Sequence, residues 1–287
     1  MASLNRVTTL SEAGIGPCYA ECSAFSKITM AEDIILETRG LVKEFKGFVA
    51  VNDVSIGVRR GQIHALIGPN GAGKTTFFNL LTKFLIPTRG AILFNGHDIT
   101  AEKPAQVARR GIVRSFQISA TFPHLSVLEN VRIALQRSTG TSYHFWRSEK
   151  SLSQLNGRAM ELLETVGLEN FSNTLAVELA YGRKRALEIA TTLATEPELM
   201  LLDEPTQGMG HEDVDRVTQL IKKVGANRTI LMVEHNMNVV SSIAETISVL
   251  QRGQVIAEGP YNVVSTNPQV LEAYMGSTEA ELEGGHG

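Results

Sequence analysis

The 287-residue chain contains only two cysteines, Cys18 and Cys22, both in one short N-terminal stretch. That scarcity excludes a disulfide-built scaffold and fits a reducing compartment; a C-x3-C pair with no second pair reads as incidental thiols. No run of 18 or more apolar residues occurs, so the sequence offers no bilayer-spanning helix. The first 29 residues lack a basic segment followed by an apolar core, so they do not read as a secretory signal. Neither sign of charge is in strong excess. The formal net charge is −3, which does not supply the basic surface that nucleic-acid binding calls for. No internal repeat is visible. What is present is ordinary: 43% hydrophobic and 20% charged residues, enough for one large domain or two small ones with a sizeable core.

Residues 1–30 show no hydrophobic period and read as a flexible extension; Met30 opens a more organised sequence and is a candidate start. From Ile34 the segments IILETRGLVKEF, VNDVSIGV and QIHALIG have a strand-like character, and the apolar residues between Gly47 and Gly68 tend to alternate. A helix is expected over Lys74–Phe84, and strands over Ala91–Phe94 and Gly111–Phe116. Residues 118–195 read as mostly helical, apart from a polar connector from Gln136 to Gln154. The run Leu199–Asp203 reads as a buried parallel strand. A helix, the strand TILMVEH and the helix MNVVSSIAE come next, then TISVLQRG and QVIAEG as a strand pair turning at Arg-Gly. This alternation predicts an α/β fold with a parallel sheet. The last residues, 278–287, form a polar tail.

Two stretches carry chemistry. Gly68, Pro69, Asn70, Gly71, Ala72, Gly73, Lys74 and Thr75, followed by Thr76, fit G-x-x-x-x-G-K-[ST] between an apolar strand and a helix. Glycines let successive backbone N–H groups face a phosphate, and the helix beginning near Lys74 adds its positive N-terminal end. Lys74 would reach the β- and γ-phosphates and the Thr75 hydroxyl would sit on Mg²⁺. The second stretch, LMLLDEP, is an apolar strand ending in two adjacent carboxylates, at the edge where open α/β sheets bind ligands. Asp203 suits the Mg²⁺ shell, and Glu204 suits polarising an attacking water, as general base or by hydrogen bonding.

With these residues the chain resembles the ABC ATPase family over about residues 34–276. Leu179, Ala180, Tyr181, Gly182 and Arg183 stand just before a helix, where that family has its L-S-G-G-Q signature. His235 occupies the place of the switch histidine, and Gln117 that of the Q-loop glutamine, a metal and water contact. Phe45 stands where an aromatic stacks on adenine, with Phe48 as the alternative. The sequence also departs from the pattern. Ala180 replaces the signature serine, Tyr181 the first glycine and Arg183 the glutamine, while Gly210, followed by His211, replaces the aspartate of the loop after Glu204.

The resemblance implies a P-loop core with its parallel sheet, a flanking antiparallel β subdomain and an inserted helical subdomain at about 118–195, all within 31–277. It implies ATP and Mg²⁺ as cofactors, and a second ATPase subunit, identical or paralogous, sandwiching two nucleotides. It also implies two integral-membrane permease subunits that hold the chain at the cytoplasmic face of the membrane, and a periplasmic substrate-binding protein in the complete system. LAYG, VEH and NPQVLEAYMG are similar to the ATPases of branched-chain and hydrophobic amino acid importers. Urea or amide importers, lipid or lipopolysaccharide exporters and non-transport ABC ATPases are the alternatives, and a binding-only cassette is a further one.

Overall fold

The structure, a computed structural model, describes residues 34–115, 121–136 and 154–274. The expected N-terminal extension, the polar tail, Gln117 and most of the polar connector lie outside the described residues.

Six strands form the main sheet: β4 (Ile63–Ile67), β7 (Ile112–Ser115), β8 (Leu199–Asp203), β9 (Thr229–Val233), β10 (Thr246–Gln251) and β11 (Gln254–Gly259). Their spatial order is β11-β10-β4-β9-β8-β7. All pairings are parallel except that of β10 with β11, which is a hairpin. Its turn has Arg252 at φ 48° and Gly253 at φ 80°, the two positive dihedrals that the favoured two-residue hairpin turn requires.

A second, antiparallel sheet is built from β1 (Ile34–Phe45), β2 (Phe48–Val54), β3 (Gly57–Arg59), β5 (Arg89–Phe94) and β6 (His97–Asp98). The segment expected as one strand, VNDVSIGV, divides into β2 and β3. Asp53 takes φ 59°, and β3 leaves β2 to pair with the other half of β1.

The helices are α1 (Lys74–Leu81), α2 (Pro104–Arg109), α3 (Val127–Gln136), α4 (Asn156–Val166), α5 (Tyr181–Leu193), α6 (His211–Gly225), α7 (Met237–Ile243) and α8 (Tyr261–Val264). Helix α1 stops three residues short of the expected Phe84. The Thr82 hydroxyl bonds back to the Phe78 carbonyl at 2.9 Å, Lys83 turns left-handed at φ 63°, and Phe84 lies exposed. The helices α3, α4 and α5 pack on one another, and short 3-10 turns at Glu169–Phe171 and Ala176–Glu178 lie between α4 and α5.

Alternation along the central strands divides the interior into two cores. Ala65 and Ile67 of β4, Met200 and Leu202 of β8, and Ile230 and Met232 of β9 face α3–α7. Leu66, Leu201, Leu231 and Val233 face the other way, onto Phe77, Phe78, Leu80 and Leu81 of α1 and the antiparallel sheet. Strands covered on both faces need not show a polar side, which is why Leu199–Leu202 reads as an unbroken apolar run; β4, expected to alternate, is instead buried at all of its positions, His64 included. Register aligns their ends. Leu66 pairs with Val233, and Val233 with Asp203, so the C-terminal ends of β4, β9 and β8 open onto one edge of the sheet.

Candidate functional site

That edge begins with the loop after β4. Gly68 has φ 150°, Gly71 76° and Gly73 102°. A Cβ on Gly68 would stand 2.1 Å from the Leu250 carbonyl oxygen, and one on Gly73 would stand 2.4 Å from that of Ala50. The loop is thus wedged between β10 and β2 and admits no side chain there. The hairpin turn supports it from behind: the Gly253 N–H donates to the Ala72 carbonyl at 2.9 Å, and the Asn52 N–H donates to Gly253 at 2.8 Å. Lys74 opens α1 and folds back, donating to the carbonyls of Gly68 at 2.5 Å and Pro69 at 3.1 Å. Burial lowers its pKa, and the nearby charges of Glu204 and Asp203 oppose that shift. Thr75 is exposed at the loop's mouth and Thr76 half-buried.

Asp203 is buried and paired with Arg114 of β7, which also donates to Asn79 of α1 at 2.6 Å and lies over the Phe78 ring. One residue on, Glu204 adopts φ 45° and its N–H donates to the Val233 carbonyl at 3.0 Å. Left-handed geometry in a non-glycine residue costs roughly 1–2 kcal/mol and is found where a site over-determines the backbone. Its carboxylate Oε1 stands 3.4 Å from Nδ1 of His235, which lies just after β9. Lys74, Asp203, Glu204 and His235 are therefore brought together.

The signature residues sit at the start of α5. Leu179 and Gly182 are buried, whereas Ala180, Tyr181 and Arg183 are exposed. Ala180 is the N-cap and makes no side-chain cap. A Cβ on Gly182 would stand 2.6 Å from Asp213, so glycine lets α5 lie close against the start of α6. Arg183 stacks 4.2 Å from the Phe171 ring centre. Gly210 is the N-cap of α6, and His211 its first residue. Phe45 and Phe48 face each other across the tip of the β1–β2 hairpin, 41% and 67% exposed, so neither is a core residue.

Three side chains escaped the sequence reading. Arg114 is one. Arg185 is buried in α5, pairs with Glu188 at 2.6 Å and donates to the Asp203 carbonyl at 3.0 Å, joining the signature helix to the acidic strand end. Glu234, adjacent to His235, is fully buried. The sequence signal for all three was a charged residue inside or beside an apolar run.

With this geometry in view, a family model described as ABC transporter matches residues 51–207. The chain belongs to the ABC transporter ATPases. Membership carries ATP binding and hydrolysis coupled to transport with it. A second model, branched-chain amino acid ATP-binding cassette transporter, matches residues 254–280 of this ATPase. The high-affinity branched-chain amino acid transport ATP-binding protein BraF of Pseudomonas aeruginosa is 39% identical over 84% of the chain and 98% of its own length. LivG of Escherichia coli, described in the same words, is 38% identical with the same coverage. An ATP-binding cassette of an ABC transporter in its ADP conformation superposes with a TM-score of 0.73 at 30% identity, covering 85% of this ATPase and 99% of that chain. A dimeric cassette bound to ADP and Pi gives 0.65 at 26% identity, covering 78% and 98%.

Proposed function

We propose that this chain is the ATPase subunit of an importer of branched-chain amino acids, and that Lys74, Asp203, Glu204 and His235 form its hydrolytic site. The observation that carries the reading is the single edge to which β4, β8 and β9 bring these four residues.

The cradle fits a nucleotide. Gly68 and Gly73 leave no room for a Cβ, so backbone alone fits at those two positions, and N–H groups at the head of α1 favour phosphate oxygens. The Lys74 ammonium, held on the loop carbonyls, would turn to the β- and γ-phosphates. Asp203 and Thr75 offer hard oxygen ligands that suit Mg²⁺, with Gln117 as a third. The bound cation would neutralise charge on the phosphate oxygens. Glu204 then orients and polarises the attacking water, with His235 beside it on the γ-phosphate side. Phe45 or Phe48 offers an exposed ring to adenine.

Leu179–Arg183 is the surface for a second subunit's nucleotide, through the buried-glycine helix start. Helices α3–α5 belong to the helical subdomain, about 118–195 of a domain spanning 31–277, and dock two permease subunits at the cytoplasmic face of the membrane. A periplasmic binding protein completes the system. Among the described residues no helix is long and apolar enough to cross a membrane. The C-terminal match and the names of BraF and LivG support the amino acid substrate.

Uptake of labelled leucine, isoleucine and valine by cells lacking the gene tests this reading. Loss of uptake restored by the wild-type gene, but not by Glu204→Gln, supports it. Unchanged uptake of all three with loss of urea or amide uptake reassigns the substrate.

A further inference from the structure

Glu234 is the most buried carboxylate beside the site, with no exposed surface at all. An ion placed there persists only if hydrogen bonds replace its water. Four do. Oε1 accepts from the Thr206 N–H at 3.0 Å and from the Thr206 hydroxyl at 2.6 Å. Oε2 accepts from the N–H groups of His235 at 3.1 Å and Asn236 at 3.2 Å. One oxygen therefore holds the loop after Glu204, and the other holds the turn that presents His235. The backbone on each side is tied in turn. The Gln207 N–H donates to the Glu204 carbonyl at 3.2 Å. The Asn236 side chain caps α7 by accepting from Asn238 and Val239, and the Glu234 N–H reaches the Leu66 carbonyl at the end of β4.

We propose that Glu234 is a positioning residue that fixes the loop carrying Glu204 to the turn carrying His235, so that the two hydrolytic side chains move as one unit. The inference rests on the hydrolytic reading of Glu204 and His235. Charge is what makes the strut two-sided. A carboxylate offers acceptors at both ends, and a glutamine must turn an NH₂ group toward N–H donors on one side or the other. A strut of this kind leaves nucleotide binding alone, because Lys74 and the glycine loop are untouched. It acts on the alignment of the reacting groups, where small displacements matter greatly.

The test is steady-state Mg-ATP hydrolysis by the purified full chain as Glu234→Gln, Thr206→Val, the double variant and Thr206→Ser, with Glu204→Gln alongside. The strut predicts that kcat falls about tenfold or more in each of the first two, with KM within about threefold of the parent. It also predicts a double variant no slower than the slower single variant, because both remove one linkage. Thr206→Ser, which keeps the hydroxyl, restores kcat. Thr206→Val preserves shape and keeps the question open to an answer if Glu234→Gln fails to fold. Parent-like kcat in Thr206→Val, a raised KM at unchanged kcat, or losses that multiply in the double variant would overturn the proposal. Hydrolysis by Glu204→Gln at the parent rate would instead remove the hydrolytic reading on which it rests.

Discussion

In the proposed reading the phosphate loop and the start of α5 are two halves of a nucleotide site, and this chain builds them differently. The loop is enclosed by its own fold: β2, β10 and the Arg252–Gly253 turn pack against it, and Lys74 is buried on its carbonyls. The start of α5 is left open, with Tyr181 58% exposed and an N-cap that makes no side-chain bond. One half is packed against its own chain; the other leaves the first turn of α5 without a side-chain cap. A helix start of that kind suits negative charge, and under the proposed function a second copy's γ-phosphate would supply it.

Glu204→Gln breaks the comparison most severely. It removes one negative charge while keeping size and hydrogen bonding. Electrostatic groups of this kind are worth on the order of a hundredfold or more in phosphoryl transfer. Hydrolysis should fall by at least about that factor while ATP binding persists, and gel filtration with Mg-ATP should show a dimer joined through the open half. Lys74→Ala should lose nucleotide affinity and remain monomeric. Parent-like hydrolysis by Glu204→Gln would assign the water to His235 or to a chain of waters.

Arg114→Met comes next and tests how far the closed half depends on its internal ion pair. Asp203 is buried and loses its counter-charge, and deleting one member of a buried pair costs about 3–5 kcal/mol. Some water reaches Arg114, whose side chain is 11% exposed, so about 3 kcal/mol is the expected loss in urea unfolding without nucleotide. The double variant Arg114→Met with Asp203→Asn should recover part of it. A loss below about 1 kcal/mol would show that the pair is solvent-screened.

The same contrast governs what the sequence made legible. The strand–loop–helix from Ile63 to Leu81 and the acidic strand Leu199–Asp203 were readable because residues adjacent in sequence produce both the pattern and the geometry. The Arg-Gly turn was readable for the same reason. The Arg114–Asp203 pair and the bond from Arg185 to the Asp203 carbonyl join separate segments, and no local period encodes them. Glu234 sat beside an identified histidine, yet its partner Thr206 comes from another loop. Helix α2 is a different case. Pro104 at its first turn and the Lys103–Gln106 capping arrangement are local signals that pointed to a helix unread in the sequence. Among the described residues of 118–195, the broad helical expectation blurred the break between α4 and α5, where 3-10 turns at Glu169–Phe171 and Ala176–Glu178 intervene, since short apolar spacings alone do not mark where helices end.

His64 offers a smaller effect from beneath the closed half. It lies on β4, 1% exposed, and its Nε2 is 2.8 Å from the Ser248 hydroxyl, which donates to Glu258 at 2.6 Å. Burial lowers its pKa from 6.5 to about 4. A histidine with a depressed folded value takes up its proton more readily when unfolded, so its contribution is intact above about pH 6.5 and is lost as the pH falls toward 4. Between pH 7.5 and 5.5 the parent should lose about 1 kcal/mol of stability that His64→Leu does not lose, read from urea unfolding at both pH values. Parallel losses in the two proteins would mean that the imidazole is not kept neutral.

The smallest expected change belongs to the open half. Ala180 has φ −61° and ψ 157°, an extended N-cap geometry, and no side-chain oxygen. Serine at that position can accept from the N–H groups of the first turn, which are otherwise unsatisfied within the helix. Ala180→Ser should therefore raise stability by about 0.5–1 kcal/mol in the isolated chain. Its effect on hydrolysis should be modest. A neutral hydroxyl contributes about 0.5–1.5 kcal/mol in a typical hydrogen bond, which bounds the rate change at roughly tenfold. The two uses also compete, because an oxygen capping α5 has its lone pairs turned toward the helix and must reorient to bind a partner's phosphate. Thermal unfolding and steady-state ATPase rates on the same preparation separate them. A gain in stability with a rate change below tenfold identifies the backbone start of α5 as the working part of the signature. A rate change of several orders of magnitude would show instead that the missing hydroxyl had disabled it, and the cassette would then bind nucleotide without turning it over efficiently.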